Sequence, residues 1–297
     1  MREYRTKGRV IFQIFNYTVL VLLMLVCLVP IVHILAKSFS SAAYVNSNLV
    51  SLWPKGWTTA AYRYVMSNGK FWQSFFVTFQ RILLGVPINV ILTVLAAYPL
   101  SKEENAFRAR KFYVWIFLFV MIFNAGLIPT YLLVQQLGLI DTVWALVLPS
   151  GVGVFNVVLM MNFFRGIPKE IEESALVDGA NQGTILLRLY LPLAKPSIAT
   201  ITLFSFMGHW NSWMEGRIYM NNSVNYPLQT YLQSILESAD STVMNMSNLD
   251  AMVDKMLVSG QNLRAAMLFI SIVPVLVVYP FLQKYFTTGL VMGSVKG

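Results

Sequence analysis

Four acids crowd one short part of this sequence. Glu170, Glu172, Glu173 and Asp178 lie in or just before EESALVDGANQGTILLRLYLPLAKP, residues 172–196. Carboxylates serve catalysis when a nucleophile–base set or metal ligands accompany them, and neither is present. His33 and His209 stand apart without flanking ligand patterns, and Cys27 sits alone in an apolar run. No metal site or internal disulfide is expected from two His and one Cys. What remains for the acids is electrostatics. Pro168 suits a first helical position, where its missing N–H is harmless. Glu170, Glu172 and Glu173 then face the positive end of that helix. Ile171, Ala175 and Gly179 recur at intervals of four, a small apolar stripe that permits close docking on a partner. Residues 184–191 are expected to form a second short helix, which Pro192 and Pro196 interrupt and redirect. Taken alone, the pattern fits a helix–turn–helix laid on a surface. It equally fits an amphipathic loop whose glutamates are solvated caps.

The surrounding sequence says which surface. Of 297 residues, 57% are hydrophobic and 12% charged, where a soluble domain carries about 25% charge. Six apolar runs approach or reach the ~20 residues that a membrane-crossing helix needs: Val10–Ala36, Phe71–Leu100, Lys111–Leu133, Trp144–Phe164, Ser197–Trp213 and Leu263–Tyr285. The first follows Arg2, Arg5, Lys7 and Arg9, but is too long for a signal peptide and has no clear cleavage box, so it reads as a retained span. The expected fold class is all-α, a polytopic membrane protein with six transmembrane helices. Segments 1–9, 100–111, 165–196 and 284–297 hold 14 Lys/Arg, and the segments on the other side hold 7. This asymmetry puts both termini, and the acidic stretch, in the cytoplasm. The net charge of +9 reflects orientation. The bases form no continuous patch in sequence, which argues against nucleic acid.

The acidic stretch resembles the signature loop of inner-membrane permeases in bacterial ATP-driven importers. The family pattern is Glu-Ala-Ala, three residues, Gly, nine residues, Ile, one residue, Leu-Pro. Here stand Glu173-Ser174-Ala175, Gly179 and Leu189-Tyr190-Leu191-Pro192, with every spacing kept and Ser174 and Leu189 as the substitutions. Asp178 and Ala180 match the fuller Asp-Gly-Ala form of the sugar-uptake branch. YVNSNLVSLWPKGWTTAAYRYV (44–65), GHWNSWMEGRIYMNN (208–222), YPLQTYL (226–232) and QKYFTTGLVMGSVKG (283–297) extend the resemblance to MalG-like subunits over nearly the whole chain. It is nearest the complex-oligosaccharide subfamily, which includes alginate-type permeases.

This resemblance implies a type I ABC importer permease fold: residues 1–70 as cytoplasmic segment, first span and external loop; 71–290 as a five-helix core; 291–297 as a cytoplasmic tail. Within the core, 165–196 would be the coupling loop and 214–262 an external loop. It implies that Glu173 pairs with a base on a separate ATPase and that Ala175, Asp178 and Gly179 form the contact. Leu189, Leu191 and Pro192 would anchor the loop to the membrane domain, and Gly289, Gly293 and Lys296 would reach toward the ATPase dimer. Expected partners are a second similar permease, a homodimeric cytoplasmic ATPase, a periplasmic or lipid-anchored solute-binding protein and an oligosaccharide; a permease homodimer stays open. The chain has no Gly-rich Lys-Ser/Thr nucleotide loop, so ATP must be handled by another polypeptide; no cofactor is expected on this chain, and ATP and Mg are expected on the partner ATPase.

A sugar path needs polar and aromatic groups within the membrane. Candidates are Arg81, Asn89, Asn124, Asn156, Asn162, His209, Asn211 and Trp213, which face the bundle or water because lipid exposure is costly. Helix–helix hydrogen bonding accounts for such residues equally well. Arg81 would face an acidic sugar, pair with the partner permease or snorkel. Uronate and neutral oligosaccharides both stay open, as do a permease for a non-sugar solute and an ATP-independent transporter.

Overall fold

The computed structural model describes residues 7–123, 125–244 and 258–293. In chain order the helices are α1 (Lys7–Ser38), α2 (Ala42–Asn46), α3 (Ala60–Ser67), α4 (Gly69–Ser101), α5 (Arg110–Ile122), α6 (Leu127–Gln136), α7 (Val143–Val147), α8 (Val154–Arg165), α9 (Lys169–Val177), α10 (Gln182–Ile185), α11 (Leu191–Leu193), α12 (Lys195–Asn211), α13 (Met214–Tyr219), α14 (Leu228–Met244) and α15 (Gly260–Gly293). Among the described residues, α1, α4 and Gly260–Pro280 of α15 are each long and apolar enough to cross a membrane. Three bent helix pairs bring the number to six if each pair is one span.

These breaks correct the expectation of unbroken third and fourth spans. The third divides into α5 and α6, and Gly126 takes φ +86 just before α6. The fourth bends by 50° between Val143–Ser150 and α8. Pro149, Gly151 and Gly153 lie at that bend, where a missing N–H and weak helix propensity favour a break. The fifth begins at Lys195 after an 81° bend from Gln182–Leu193. The helix expected at 184–191 is longer and continuous through Leu193, because Leu186–Tyr190 is π-helical. Pro192 supplies no N–H to the turn before it, and a π turn accommodates such a gap.

The chain divides into two compact units. In the first (1–68 and 234–273), Ser40 ties the end of α1 to the external loop. Its hydroxyl donates to Ala36 O (2.7 Å) and accepts from Lys55 N (3.0 Å). Phe39 and Trp57 stack at 4.7 Å, and Thr58 Oγ1 accepts from Ala60 N at the start of α3. Asn262 Nδ2 donates to Ser40 O (3.0 Å), fixing the start of α15. The apolar side chains along α1, such as Phe12, Leu22 and Val26, are exposed, as a lipid-facing helix requires.

The second unit (69–233 and 274–297) carries the larger core. Val94, Ala97 and Tyr98 of α4 meet Val157, Met160 and Phe164 of α8. Ile185, Leu186, Tyr190 and Ile201 close the cluster. Tyr98, Phe164 and Tyr190 meet edge to face, with centroids 5.1–6.1 Å apart, a geometry that suits the ring quadrupoles.

Candidate functional site

Two polar clusters occupy the second unit. The first lies at membrane depth and begins with the break before α8. Backbone that leaves a helix within hydrocarbon must have its carbonyls satisfied by protein or water. Asn89 of α4 does this, donating from Nδ2 to Ser150 O (2.7 Å) and Gly151 O (2.8 Å). Its Oδ1 lies 2.7 Å from His209 Nε2, and Arg81 Nε donates to His209 Nδ1 at 3.2 Å. The tautomer follows: Nδ1 accepts, so Nε2 carries the proton and donates to Asn89. Arg81 Nη1 donates to Ser212 O (3.4 Å), and Nη2 pairs with Glu215. A single relay thus runs from Glu215 through Arg81, His209 and Asn89 to the broken helix. Gly85 is required for it, since a Cβ there would fall on the His209 ring, with Cε1 at 2.6 Å.

Arg81 is 1% exposed, and its charge is met by the chain's own Glu215. It neither snorkels nor offers an unneutralised charge to an acidic solute. A cavity of about 210 Å3 lies alongside, lined by Arg81, Asn89, Asn156, Ser205, His209 and Glu215 among others. Four of the expected path residues, Arg81, Asn89, Asn156 and His209, therefore converge. Asn162, Asn211 and Trp213 are exposed and outside that lining, and Asn124 lies outside the described residues. Glu215 and Ser205 were not anticipated. Glu215 reads as an ordinary loop acid; the buried Arg81 was the signal that an acid had to be near.

The second cluster holds α9 against the C-terminal ends of α4 and α8. Lys102 Nζ pairs with Glu172 Oε1 at 2.6 Å, and Tyr190 OH donates to Glu172 Oε2 at 2.5 Å. The ammonium also sits over the rings of Tyr98 (4.1 Å) and Tyr190 (4.3 Å), where cation–π attraction adds to the pair. Tyr98 OH donates to Gln182 Oε1 (2.6 Å). Burial pushes the Glu172 carboxyl up, but hydrogen bonds from Lys102 and Tyr190 outweigh it and hold its pKa below the usual carboxylate value. Burial pushes Lys102 below its ordinary value despite Glu172. Lys169 and Glu103 form an exposed pair beside this clamp. A cavity of about 510 Å3 opens between α9 and the end of α4.

The clamp sets which face of α9 is outward. Of the stripe Ile171, Ala175 and Gly179, the first two pack on the chain's own core and Gly179 stays exposed; Leu189 and Leu191, expected to anchor the loop, also pack on that core. Pro192 is exposed. Outward stand Glu173, Leu176, Val177 and Asp178. The reason is α9's own acid: with Glu172 drawn in to Lys102, helical periodicity carries Ala175 inward and Glu173 and Val177 outward. Gly179 ends α9 at φ +78 with open space where a Cβ would stand. Its amide closes onto Leu176 O (3.0 Å), and that of Ala180 onto Ala175 O (2.9 Å), a left-handed helix end that glycine adopts without strain.

An all-α polytopic membrane protein with a polar cavity between broken helices and a short acidic helix clamped at one end has the build of a transporter subunit. The chain belongs to the family of binding-protein-dependent transport system inner membrane components, whose profile matches residues 54–291. It is 36% identical over 287 residues to the polygalacturonan/rhamnogalacturonan transport system permease YtcP of Bacillus subtilis (strain 168), covering 97% of this chain and 99% of that one. Protein LplC of the same organism is 36% identical over 294 residues, 99% of this chain and 98% of that one. A chain in the crystal structure of a bacterial ABC transporter involved in the import of the acidic polysaccharide alginate superposes with a TM-score of 0.83 at 35% identity, over 96% of this chain and 99% of that one. The fold is that of a type I ABC importer permease, and the protein is a polytopic component of the bacterial inner membrane.

Proposed function

We infer that this chain is the permease subunit of an ATP-driven, binding-protein-dependent carbohydrate importer, forming half of an oligosaccharide path. The observation that carries this is α9: a short helix held at the cytoplasmic end of the membrane core through Glu172, with Glu173, Leu176 and Val177 left outward. In this reading the outward face seats in a separate homodimeric ATPase, with Glu173 meeting a base there and Gly179 allowing the turn away. Closure of the ATPase pulls on α9, and the Lys102–Glu172–Tyr190 clamp passes that pull to α4. Residues 71–290 act as the permease core and both termini face the cytoplasm. A second, similar permease completes the path, and a solute-binding protein delivers the sugar from outside. Similarity to a permease named for polygalacturonan/rhamnogalacturonan and to a chain of a transporter involved in alginate import supports a polysaccharide fragment, uronate oligomers included. Arg81, Asn89, Asn156 and His209 border the path.

The test is sugar-stimulated ATPase activity of the complete complex in proteoliposomes, with uronate and neutral oligosaccharides compared. Stimulation by one class, lost in assembled complexes carrying Glu173→Ala or a bulky residue at Gly179, supports the reading. An assembled, hydrolytically active complex that responds to neither class argues for a non-sugar solute. Flux through this chain without an ATPase refutes the importer.

A further inference from the structure

The cavity beside the Arg81–His209–Asn89 relay contains a group that the fold does not use. The Ser205 hydroxyl lines it, is buried at 6% exposure and has no hydrogen-bond partner. A helical serine or threonine in an apolar setting commonly bonds back to the carbonyl four residues earlier. On the same helix Thr200 does so to Pro196 O (3.0 Å) and Thr202 to Ile198 O (2.7 Å). Ser205 does not, and an unpartnered buried hydroxyl is a feature native folds rarely retain without a use.

The other lining groups define what the hydroxyl would meet. Asn156 brings a carboxamide to the same cavity. Glu215 binds Arg81 through Oε2, which leaves Oε1 as an acceptor. Each of the three Arg81 nitrogens is engaged within the chain, by His209, Ser212 O or Glu215. The cavity therefore presents neutral donors and acceptors and one carboxylate edge, with its only cation already neutralised. A carboxylate entering here would meet Glu215; a hydroxyl would meet partners of both kinds. At about 30 Å3 per water, 210 Å3 corresponds to on the order of seven waters, a space on the scale of one sugar ring.

We propose that this cavity is a subsite for the hydroxyl edge of a single sugar ring, with Ser205 and Asn156 as hydrogen-bonding partners and Glu215 Oε1 as acceptor, and that any carboxylate of the same sugar is turned away from it. The proposal rests on the importer reading above. It explains why this cavity-lining hydroxyl is left bare on a helix whose threonines, Thr200 and Thr202, bond back to their own backbone: the bond it lacks is made with the solute.

The experiment uses the complete complex in proteoliposomes with two probes, an oligogalacturonate and its carboxyl-reduced counterpart. Assembly of each variant is checked by co-purification. Ser205→Ala should raise the concentration for half-maximal ATPase stimulation by about two- to tenfold, the loss of one net hydrogen bond, and equally for every probe that stimulates. Ser205→Thr, which keeps the hydroxyl, should restore it. Ser205→Ala should not lower thermal stability, because it removes a hydroxyl the free protein leaves unbonded. In a Cys27→Ser background, Ser205→Cys should react with a small thiol reagent and be protected by the stimulating sugar. An unshifted half-maximal concentration in Ser205→Ala, a shift confined to the uronate, or a Ser205→Cys thiol that reacts in no nucleotide state each overturns the subsite and leaves the importer standing. Absence of stimulation by either probe in an assembled wild-type complex removes the sugar reading, and the subsite with it.

Discussion

Lys102→Met tests whether the clamp on α9 is a structural joint or an incidental surface pair. Exposed ion pairs are worth about 0–1 kcal/mol, whereas removing one partner of a fully buried pair costs about 3–5 kcal/mol. Lys102 and Glu172 are 10% and 17% exposed, and both border a cavity of about 510 Å3 that admits water. The pair therefore belongs between those limits, near 2 kcal/mol for Lys102→Met, which leaves the carboxylate with the neutral donors Tyr190 and Gln182. Glu172→Gln should cost less, because Lys102 keeps its two aromatic faces. The decisive quantity is their interaction in a double-variant cycle, read as thermal stability of the purified permease pair and as ATP hydrolysed per sugar transported. The double variant should fall short of the summed single effects by about 1–2 kcal/mol in stability. Both single variants should hydrolyse more ATP per sugar, and the exchange Lys102→Glu with Glu172→Lys should recover part of the coupling. Additive single effects, with coupling intact, would show Glu172 to be a solvated helix cap and would refute the clamp. The pH dependence has a definite sign. Glu172 titrates below the ordinary carboxylate value, so its contribution is complete above about pH 4.3 and is lost as pH falls through the lower folded pKa.

Gly85→Ala should destabilise the permease by about 1–3 kcal/mol through overpacking against His209, visible as a lowered thermal midpoint. Glu215→Gln should lower stability by leaving Arg81 underpaired, and Arg81→Met combined with Glu215→Gln should recover part of that loss; no recovery in the thermal midpoint would count against the pair. Gly179→Asn should assemble normally, since asparagine tolerates the left-handed helix end. Gly179→Val should cost about 1–2 kcal/mol at φ +78 and lose sugar-stimulated ATPase activity, a split that co-purification and ATPase assays together resolve.

The spans were legible because composition and length alone indicate apolar helices. Their breaks were less so. Pro149, Gly151 and Gly153 are visible, but a proline within α4 at Pro87 interrupts nothing, so the residue type does not decide; the neighbours that receive the freed backbone groups do. Asn89 shows this, since its role depends on carbonyls some sixty positions later. Arg81 was rightly singled out as a base in an apolar run, yet its partner sits beyond α12 and only folding brings the two together. On α9 the sequence gives the periodicity but not the direction of the stripe. Glu172 and Glu173 are adjacent and chemically identical, and Lys102 determines which one turns inward.

Both clusters join the same two stretches of chain. Arg81 lies in α4 and Lys102 follows its last residue, a separation of roughly 30 Å at 1.5 Å per residue, about the thickness of the hydrocarbon layer. Their partners lie on Glu172 and Tyr190 at one end, and on His209 and Glu215 at the other, either side of the 81° bend into α12. A displacement of α9 relative to α4 thus acts on a stretch already pinned at two depths, and it cannot leave the Arg81 relay unstrained unless the bend at Ala194 or the helix near Pro87 yields. Both regions contain prolines with no N–H to give, Pro87 and Pro99 in α4 and Pro192 and Pro196 about the bend. Coupling in this fold therefore requires no long chain of contacts. In the proposed reading it requires one continuous helix, a charged joint at its C-terminal end and a polar joint beside the cavity, so that changing the register of one joint changes the strain on the other.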